Sequence, residues 1–155
     1  MKLEIYKPEQ IPKEYLEQLY DLISEGGQVD RHYVEIGVPN ALCVGILFDD
    51  DTIISTATIK NPLGSYIEGV FEDAGVPELL KSYQLELGYI VTREGHGGKG
   101  YCKALLSEMM PLVGDRNVFA TTRKDSMGHI LGKYGFSKVG SVYKGDLELF
   151  VKSTT

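Results

Sequence analysis

Four glycines lie close together in one short loop, at Gly95, Gly97, Gly98 and Gly100. The apolar run of residues 85–91 precedes this loop, and an amphipathic segment follows it. Where a glycine-rich turn connects a strand to the start of a helix, backbone N–H groups point toward a possible anion site. Glycine has no side chain, so an anion can come close to the main chain there. The pattern therefore indicates a site for a phosphate-bearing ligand.

Two well-known phosphate-binding sequence motifs are similar to this loop. A P-loop requires Ser or Thr after its lysine, whereas Lys99 is followed by Gly100. The string Gly95-x-Gly97-x-x-Gly100 does match the dinucleotide fingerprint. The acidic residue expected at the end of the next parallel strand is missing from residues 118–122, which read VFATT. A dinucleotide site therefore stays as a minor alternative.

The composition is that of an ordinary globular protein: of 155 residues, 43% are hydrophobic and 25% charged, with a formal net charge of −6. This length predicts a single domain over residues 1–155. An acidic chain is a poor nucleic-acid binder, because phosphate backbones attract clustered Lys and Arg. Cys43 and Cys102 have no zinc-ligand spacing, so we expect free thiols, no metal site and a cytoplasmic location. Neither a signal peptide nor a membrane-spanning run is visible in the sequence.

Hydrophobic periodicity predicts alternating strands and helices along the chain. Strands are predicted over residues 2–6, 41–48, 52–59, 85–92, 117–122, 138–143 and 147–151, and helices over 12–23, 98–113 and from Asp125 or Ser126 to Gly135, with 29–36 ambiguous. Residues 61–83 are predicted to form a helical insertion. Tyr66 and Phe71 fall on its apolar face, so a core role is expected first, with the lining of an acceptor pocket as the alternative. Antiparallel strands followed by β-α-β units predict an α/β fold with a mixed sheet and helices on both faces.

Three segments of the chain together resemble the GCN5-related N-acetyltransferase (GNAT) superfamily. They are residues 86–92 (ELGYIVT), 98–106 (GKGYCKALL) and 131–136 (LGKYGF). The element order resembles that of the family over nearly the whole chain. This resemblance implies a GNAT-like mixed, mostly antiparallel sheet, with the helical insertion before the central strand, and acetyl-CoA as the co-substrate.

In that family, a loop of the form Gln/Arg-x-x-Gly-x-Gly/Ala holds the pyrophosphate of acetyl-CoA with its amides. This chain keeps the central glycine as Gly100 but has Gly97 at the Gln/Arg position and Cys102 at the last small-residue position. The resemblance implies that amides of the preceding strand bind pantetheine. The cofactor-binding residues that it implies are Ile90, Val91, Thr92, Gly97, Gly98, Lys99, Gly100, Tyr101, Cys102 and Ser126.

Glu86 and Tyr134 are the candidate catalytic residues. The resemblance places Glu86 on the strand that borders the acetyl group, where a carboxylate would take a proton from the amine acceptor. The alternative for Glu86 is a strand-end carboxylate in an ion pair. Many relatives carry a tyrosine as the acid for the departing thiolate, but its position here is Leu131. Tyr134 is therefore the candidate acid, with a role in the core as its alternative, and Tyr143 and Ser126 are weaker candidates.

The function implied by the resemblance is an acetyl-CoA-dependent N-acetyltransferase in which an amine attacks the thioester directly within a ternary complex. We expect a small-molecule or peptide amine as its partner, no nucleic-acid or membrane partner, and leave a homodimer open. One alternative is a GNAT-like module that binds acyl-CoA without turnover. The other is a dinucleotide-binding oxidoreductase.

Overall fold

The computed structural model describes residues 1–153 of the chain. Three short 3₁₀ segments, Pro8–Gln10, Pro77–Ser82 and Met110–Val113, lie between the larger elements. The strands and helices are β1 (Lys2–Tyr6), α1 (Lys13–Gly27), α2 (Arg31–Gly37), β2 (Cys43–Asp49), β3 (Thr52–Lys60), α3 (Gly64–Asp73), β4 (Leu85–Thr92), α4 (Tyr101–Met109), β5 (Val118–Thr122), α5 (Asp125–Lys133), β6 (Ser137–Tyr143) and β7 (Leu147–Lys152).

The seven strands form a largely antiparallel sheet, as predicted, with hydrogen-bonded neighbours in the order β1-β2-β3-β4-β5-β7-β6. Strands β1 and β2, β2 and β3, β5 and β7, and β6 and β7 pair antiparallel. Strand β4 pairs with β5 in parallel, at Leu85 with Val118 and Glu86 with Phe119. The parallel β4–β5 pair is joined by the crossover that contains the glycine loop and α4, as a β-α-β unit requires.

The chain divides into two compact units, of which the first comprises residues 1–60 and 87–112. One face of β2 carries Val44 and Ile46 into a core cluster with Leu19 and Ile23 of α1. Its other face packs so closely on α4 that a Cβ at Gly45 would lie 2.4 Å from Met109 Sδ. Because neighbouring strand residues point to opposite faces, helices cover both faces of this part of the sheet.

The second unit comprises residues 61–86 and the chain from residue 113 onward. Its core cluster joins Phe71 of α3 to Phe119 of β5 and to Leu149 of β7. The neighbouring residue of β7, Phe150, faces the other way, and its ring would lie 2.9 Å from a Cβ at Gly128 of α5. The insertion helix and α5 therefore cover opposite faces of this part of the sheet, again as predicted.

Helix α1 is longer than its glycines predict. The helix was predicted over residues 12–23, before the pair Gly26-Gly27, but it continues through both glycines to a left-handed cap at Gln28. A Cβ at Gly26 would lie 2.3 Å from Val91 Cγ1. Glycine therefore allows the close approach of α1 to β4 and does not stop the helix, so the predicted boundary was wrong.

Two helix starts also differ from the predictions. Helix α4 begins at Tyr101 and not at Gly98, because Gly98 and Gly100 adopt the left-handed conformation. The predicted caps of α5, Asp125 or Ser126, lie inside that helix. Its N-cap is Lys124, which has no side-chain capping bond, although its own N–H donates to Thr122 Oγ1 over 3.1 Å.

Candidate functional site

A buried carboxylate and an exposed tyrosine are paired in the second unit. Glu86 is the second residue of β4 and is only 3% exposed. The hydroxyl of Tyr66, in the first turn of α3, donates to Glu86 Oε2 over 2.9 Å. Burying a carboxylate is costly unless hydrogen bonds replace its water, and a bond from a hydroxyl supplies part of that compensation. The pair fixes the direction of one carboxylate oxygen.

The outcome for Tyr66 corrects a prediction. Its helical spacing placed it on the apolar face of the insertion, yet Tyr66 is 42% exposed, whereas Phe71 is fully buried as expected. A tyrosine ring can pack against apolar groups while its hydroxyl requires a hydrogen-bond partner, and here that partner is the buried Glu86. Hydrophobic periodicity predicts the packing of the tyrosine ring, but it carries no information about the hydrogen-bond partner of the hydroxyl.

Tyr143, at the end of β6, also feels the charge of Glu86. Burial, together with the negative charges of Glu86 and Asp73, raises the pKa of the Tyr143 hydroxyl to about 12. Both effects disfavour the phenolate. Tyr143 therefore stays neutral through the physiological range and belongs to the core cluster of this unit.

The remaining two site residues of this unit lie on and beside α5. Ser126 is exposed in the first turn of the helix, and Tyr134 is its half-buried C-cap residue. Leu131, at the position where the resemblance implies an acid tyrosine, is 1% exposed and packs as a core residue. Tyr134 is thus more accessible than a core tyrosine, and its role as an acid stays a prediction.

In the first unit, β4 is interrupted by a left-handed residue. Tyr89 has a φ of 50°, a conformation that costs a residue with a side chain about 1–3 kcal/mol. Its position is held from two sides: Lys60 Nζ lies 4.2 Å from the ring centre, and a Cβ at Gly37 would lie 2.6 Å from its hydroxyl oxygen. The distortion falls in the strand whose amides, by the resemblance, are expected to bind pantetheine.

The side chains that follow Tyr89 serve the fold. Val91 is buried against α1, and its carbonyl accepts a bond from Ser55 Oγ over 3.3 Å. The hydroxyls of Thr92 and Ser55 are 2.9 Å apart. Ile90 is half-buried. The binding of a ligand by the amides of residues 90–92 stays a prediction.

Arg93 anchors the start of the glycine loop, a role that the sequence did not predict. Its N–H donates to the Ile54 carbonyl over 2.7 Å, and its Nε donates to the Ile53 carbonyl over 2.8 Å. Its Nη2 also reaches Gln18 Oε1 over 3.3 Å. Because this guanidinium already donates to Ile53 and Gln18, an anion at the loop would have to be bound by backbone N–H groups and by other side chains.

The loop itself has the geometry of an anion cradle. Gly95, Gly98 and Gly100 have positive φ values of 86°, 74° and 81°, which glycine adopts without strain. A Cβ at any of these, or at Gly97, would meet no atom within 4 Å. The loop is open to a close approach by a ligand, and it leads directly into the first turn of α4, whose N–H groups attract negative charge. Binding of a CoA pyrophosphate by this loop stays a prediction.

Four residues with side chains belong to the loop or to the first turn of α4. Lys99 is exposed, Tyr101 and Cys102 are half-buried in the first turn of α4, and His96 is half-buried in the loop. Burial raises the pKa of the Cys102 thiol to about 11, so Cys102 is a poor nucleophile at neutral pH. The contact of Lys99 with a phosphate stays a prediction.

The structure thus groups the predicted residues within each unit. The β4 and loop residues from Ile90 to Cys102 follow one another in the first unit, and Glu86, Ser126 and Tyr134 belong to the second. Among residues 1–153, no cluster of three or more His, Cys, Asp or Glu has an arrangement that would hold a metal ion. In the same residues, no helix is long and apolar enough to cross a membrane.

Comparison by sequence and by structure gives different results. No family model and no curated protein sequence matches this chain. Many solved structures do match. An acyl-CoA N-acyltransferase from Pseudomonas aeruginosa is 14% identical, with a TM-score of 0.73 over 98% of this chain and 99% of that one.

Two further structures agree with the first. A GNAT-family acetyltransferase from Bacillus cereus is 17% identical, with a TM-score of 0.65 over 100% of this chain and 99% of that one. The PaiA N-acetyltransferase from Thermoplasma acidophilum, solved in complex with coenzyme A, is 17% identical, with a TM-score of 0.59 over 99% of this chain and 100% of that one. These likenesses show that the chain has the same fold as GNAT acetyltransferases.

Proposed function

We propose that this chain is an acetyl-CoA-dependent N-acetyltransferase that moves an acetyl group onto a primary amine. The observation that carries the proposal is strand β4, which places a buried, hydrogen-bonded Glu86 at its start and runs into the open loop of left-handed glycines at its end. Transfer from acetyl-CoA, a thioester that carries a pyrophosphate, requires a proton acceptor and an anion site, and the chain offers a candidate for each.

In this proposal, the backbone N–H groups of Gly98, Gly100 and Tyr101 hold the pyrophosphate, and Lys99 adds a charge-assisted contact. Main-chain groups of Ile90 and Thr92 receive pantetheine, and one of these N–H groups polarises the thioester carbonyl as an oxyanion donor. The groups that would bind CoA are thus mainly main-chain N–H groups. The departures from the family motif at Gly97 and Cys102 change side chains and leave these groups in place.

Glu86 is the proposed general base. A primary amine such as a lysine side chain is protonated at neutral pH, since its reference pKa is about 10.4. An ammonium group has no lone pair with which to attack, so a proton must leave before the C–N bond forms. The acceptor, freed of that proton, attacks the thioester carbonyl directly, and the C–S bond breaks. Tyr134, or a water molecule, protonates the departing thiolate.

A module that binds acyl-CoA without turnover is the second candidate. The observation that favours it is the buried Leu131, because an aliphatic core residue occupies the position of the acid found in many relatives. A dinucleotide-binding oxidoreductase is not proposed. Strand β5 has an antiparallel neighbour in β7, whereas the doubly wound dinucleotide fold has parallel strands on this side of its phosphate loop.

Calorimetry and a kinetic variant test the proposal. The protein is titrated with CoA, acetyl-CoA and NADPH, and thiol release is then followed over a panel of primary amines. We expect binding of both CoA species, no binding of NADPH, and a loss of about 10²- to 10⁴-fold in kcat for Glu86→Gln. Glu14→Gln, at an exposed position of α1, is the matched control. Binding of CoA without any thiol release would favour the binding module, and normal turnover by Glu86→Gln would exclude Glu86 as the base.

A further inference from the structure

The carboxylate of Glu86 lies too deep for a bulky amine to contact it directly. Glu86 is 3% exposed, whereas its hydrogen-bond donor, Tyr66, is 42% exposed. The two residues come from different elements, β4 and α3, and their oxygens are 2.9 Å apart. A molecule that arrives from solvent meets the tyrosine of this pair before it meets the carboxylate.

We propose that Tyr66 relays a proton from the amine acceptor to Glu86, an inference that rests on the proposed function above. The ammonium group gives one proton to Tyr66 Oη while the phenolic proton of Tyr66 passes to Glu86 Oε2. An N–H bond breaks, an O–H bond forms on Glu86, and Tyr66 is neutral before and after. The amine then attacks the thioester carbonyl, its second proton goes to the CoA sulfur, and Glu86 returns its proton to solvent by the same path.

The neighbouring tyrosine does not fit this role. Tyr143 also lies close enough to feel the charge of Glu86, but it is 8% exposed and packs in the core cluster of the second unit. It has no access to an acceptor from solvent. Tyr66 has that access, and Leu63, one helical turn before it, is 76% exposed and offers an apolar contact to the carbon chain of an amine.

The first test removes the relay hydroxyl and keeps the ring. Tyr66→Phe is compared with wild type in thiol release, with spermidine and Nα-acetyllysine amide as the acceptors. We expect kcat to fall about 10- to 100-fold, the range that corresponds to losing a hydrogen bond to a charged group, while calorimetric CoA affinity is unchanged. Tyr15→Phe is the matched control, because Tyr15 Oη also donates to a carboxylate, Asp51 Oδ1, over 2.9 Å, but at an exposed site.

The second test asks whether the two residues act in one path. In a relay, Tyr66→Phe adds little to the loss already caused by Glu86→Gln, so the double variant should match Glu86→Gln alone. Multiplied losses, or a Tyr66→Phe enzyme with the kcat of the wild type, would overturn the relay and leave the proposed function standing. A wild-type protein that binds CoA but transfers acetyl to no primary amine would overturn both.

Discussion

Replacing Gly100 by alanine should weaken CoA binding without disturbing any contact. Gly100 precedes α4 with φ and ψ of 81° and 13°, and a Cβ there would meet no atom within 4 Å. The cost of the substitution is therefore conformational and not steric. A residue with a Cβ pays about 1–2 kcal/mol in the left-handed region, so the loop shape that presents its N–H groups is disfavoured by that amount. Since 1.4 kcal/mol is a factor of ten, we expect CoA affinity to fall about 5- to 30-fold.

The assay is a calorimetric titration of CoA into wild type, Gly100→Ala and Gly97→Ala. Gly97 is the matched control, because it lies in the same open loop but does not have a positive φ. Its substitution should leave the affinity unchanged. The reasoning would be refuted if Gly100→Ala bound CoA as tightly as wild type, or if both variants lost affinity equally.

Three other predictions follow from individual residues. Gly97→Arg restores a cation at the family's Gln/Arg position in open space, so calorimetry should show CoA binding about 2- to 5-fold tighter, and weaker binding would contradict the cradle. Burial raises the pKa of the Cys102 thiol from 9.0 to about 11, so its alkylation by iodoacetamide should be about 100-fold slower at pH 8 than that of an unperturbed thiol, and should accelerate about tenfold per pH unit up to about pH 10. Gly140→Ala places a Cβ 2.3 Å from the Ala74 carbonyl oxygen at a φ of 70°, so urea denaturation should show a loss of at least about 2 kcal/mol, whereas the control Gly132→Ala, in open space on α5, should not destabilise the protein.

Strand β4 shows how much the sequence alone could establish. Its predicted bounds, residues 85–92, are those observed, because an apolar run between polar turns has few other ways to be buried. The position of the glycine loop, between this strand and α4, was also predicted correctly. The left-handed Tyr89 within the strand could not be predicted, since its conformation depends on contacts with Gly37 and Lys60 that are distant in sequence.

Glycines caused the errors in helix boundaries because one residue type serves two purposes. Gly98 and Gly100 supply positive φ and keep α4 from starting earlier, whereas Gly26 has an ordinary helical backbone and supplies room for Val91. A sequence read without its tertiary contacts cannot separate these cases. The partnership of Tyr66 with Glu86 was missed for the same reason, because 20 residues separate them along the chain.

The most direct test of the central claim is the stoichiometry of transfer. The protein is incubated with acetyl-CoA and a panel of primary amines, the CoA thiol is titrated, and the N-acetylated amine is quantified by mass spectrometry. The account predicts one acetylated amine for each thiol released, with both products lost together in Glu86→Gln. Thiol release without an acetylated amine, or neither product from a protein that binds acetyl-CoA, would contradict it.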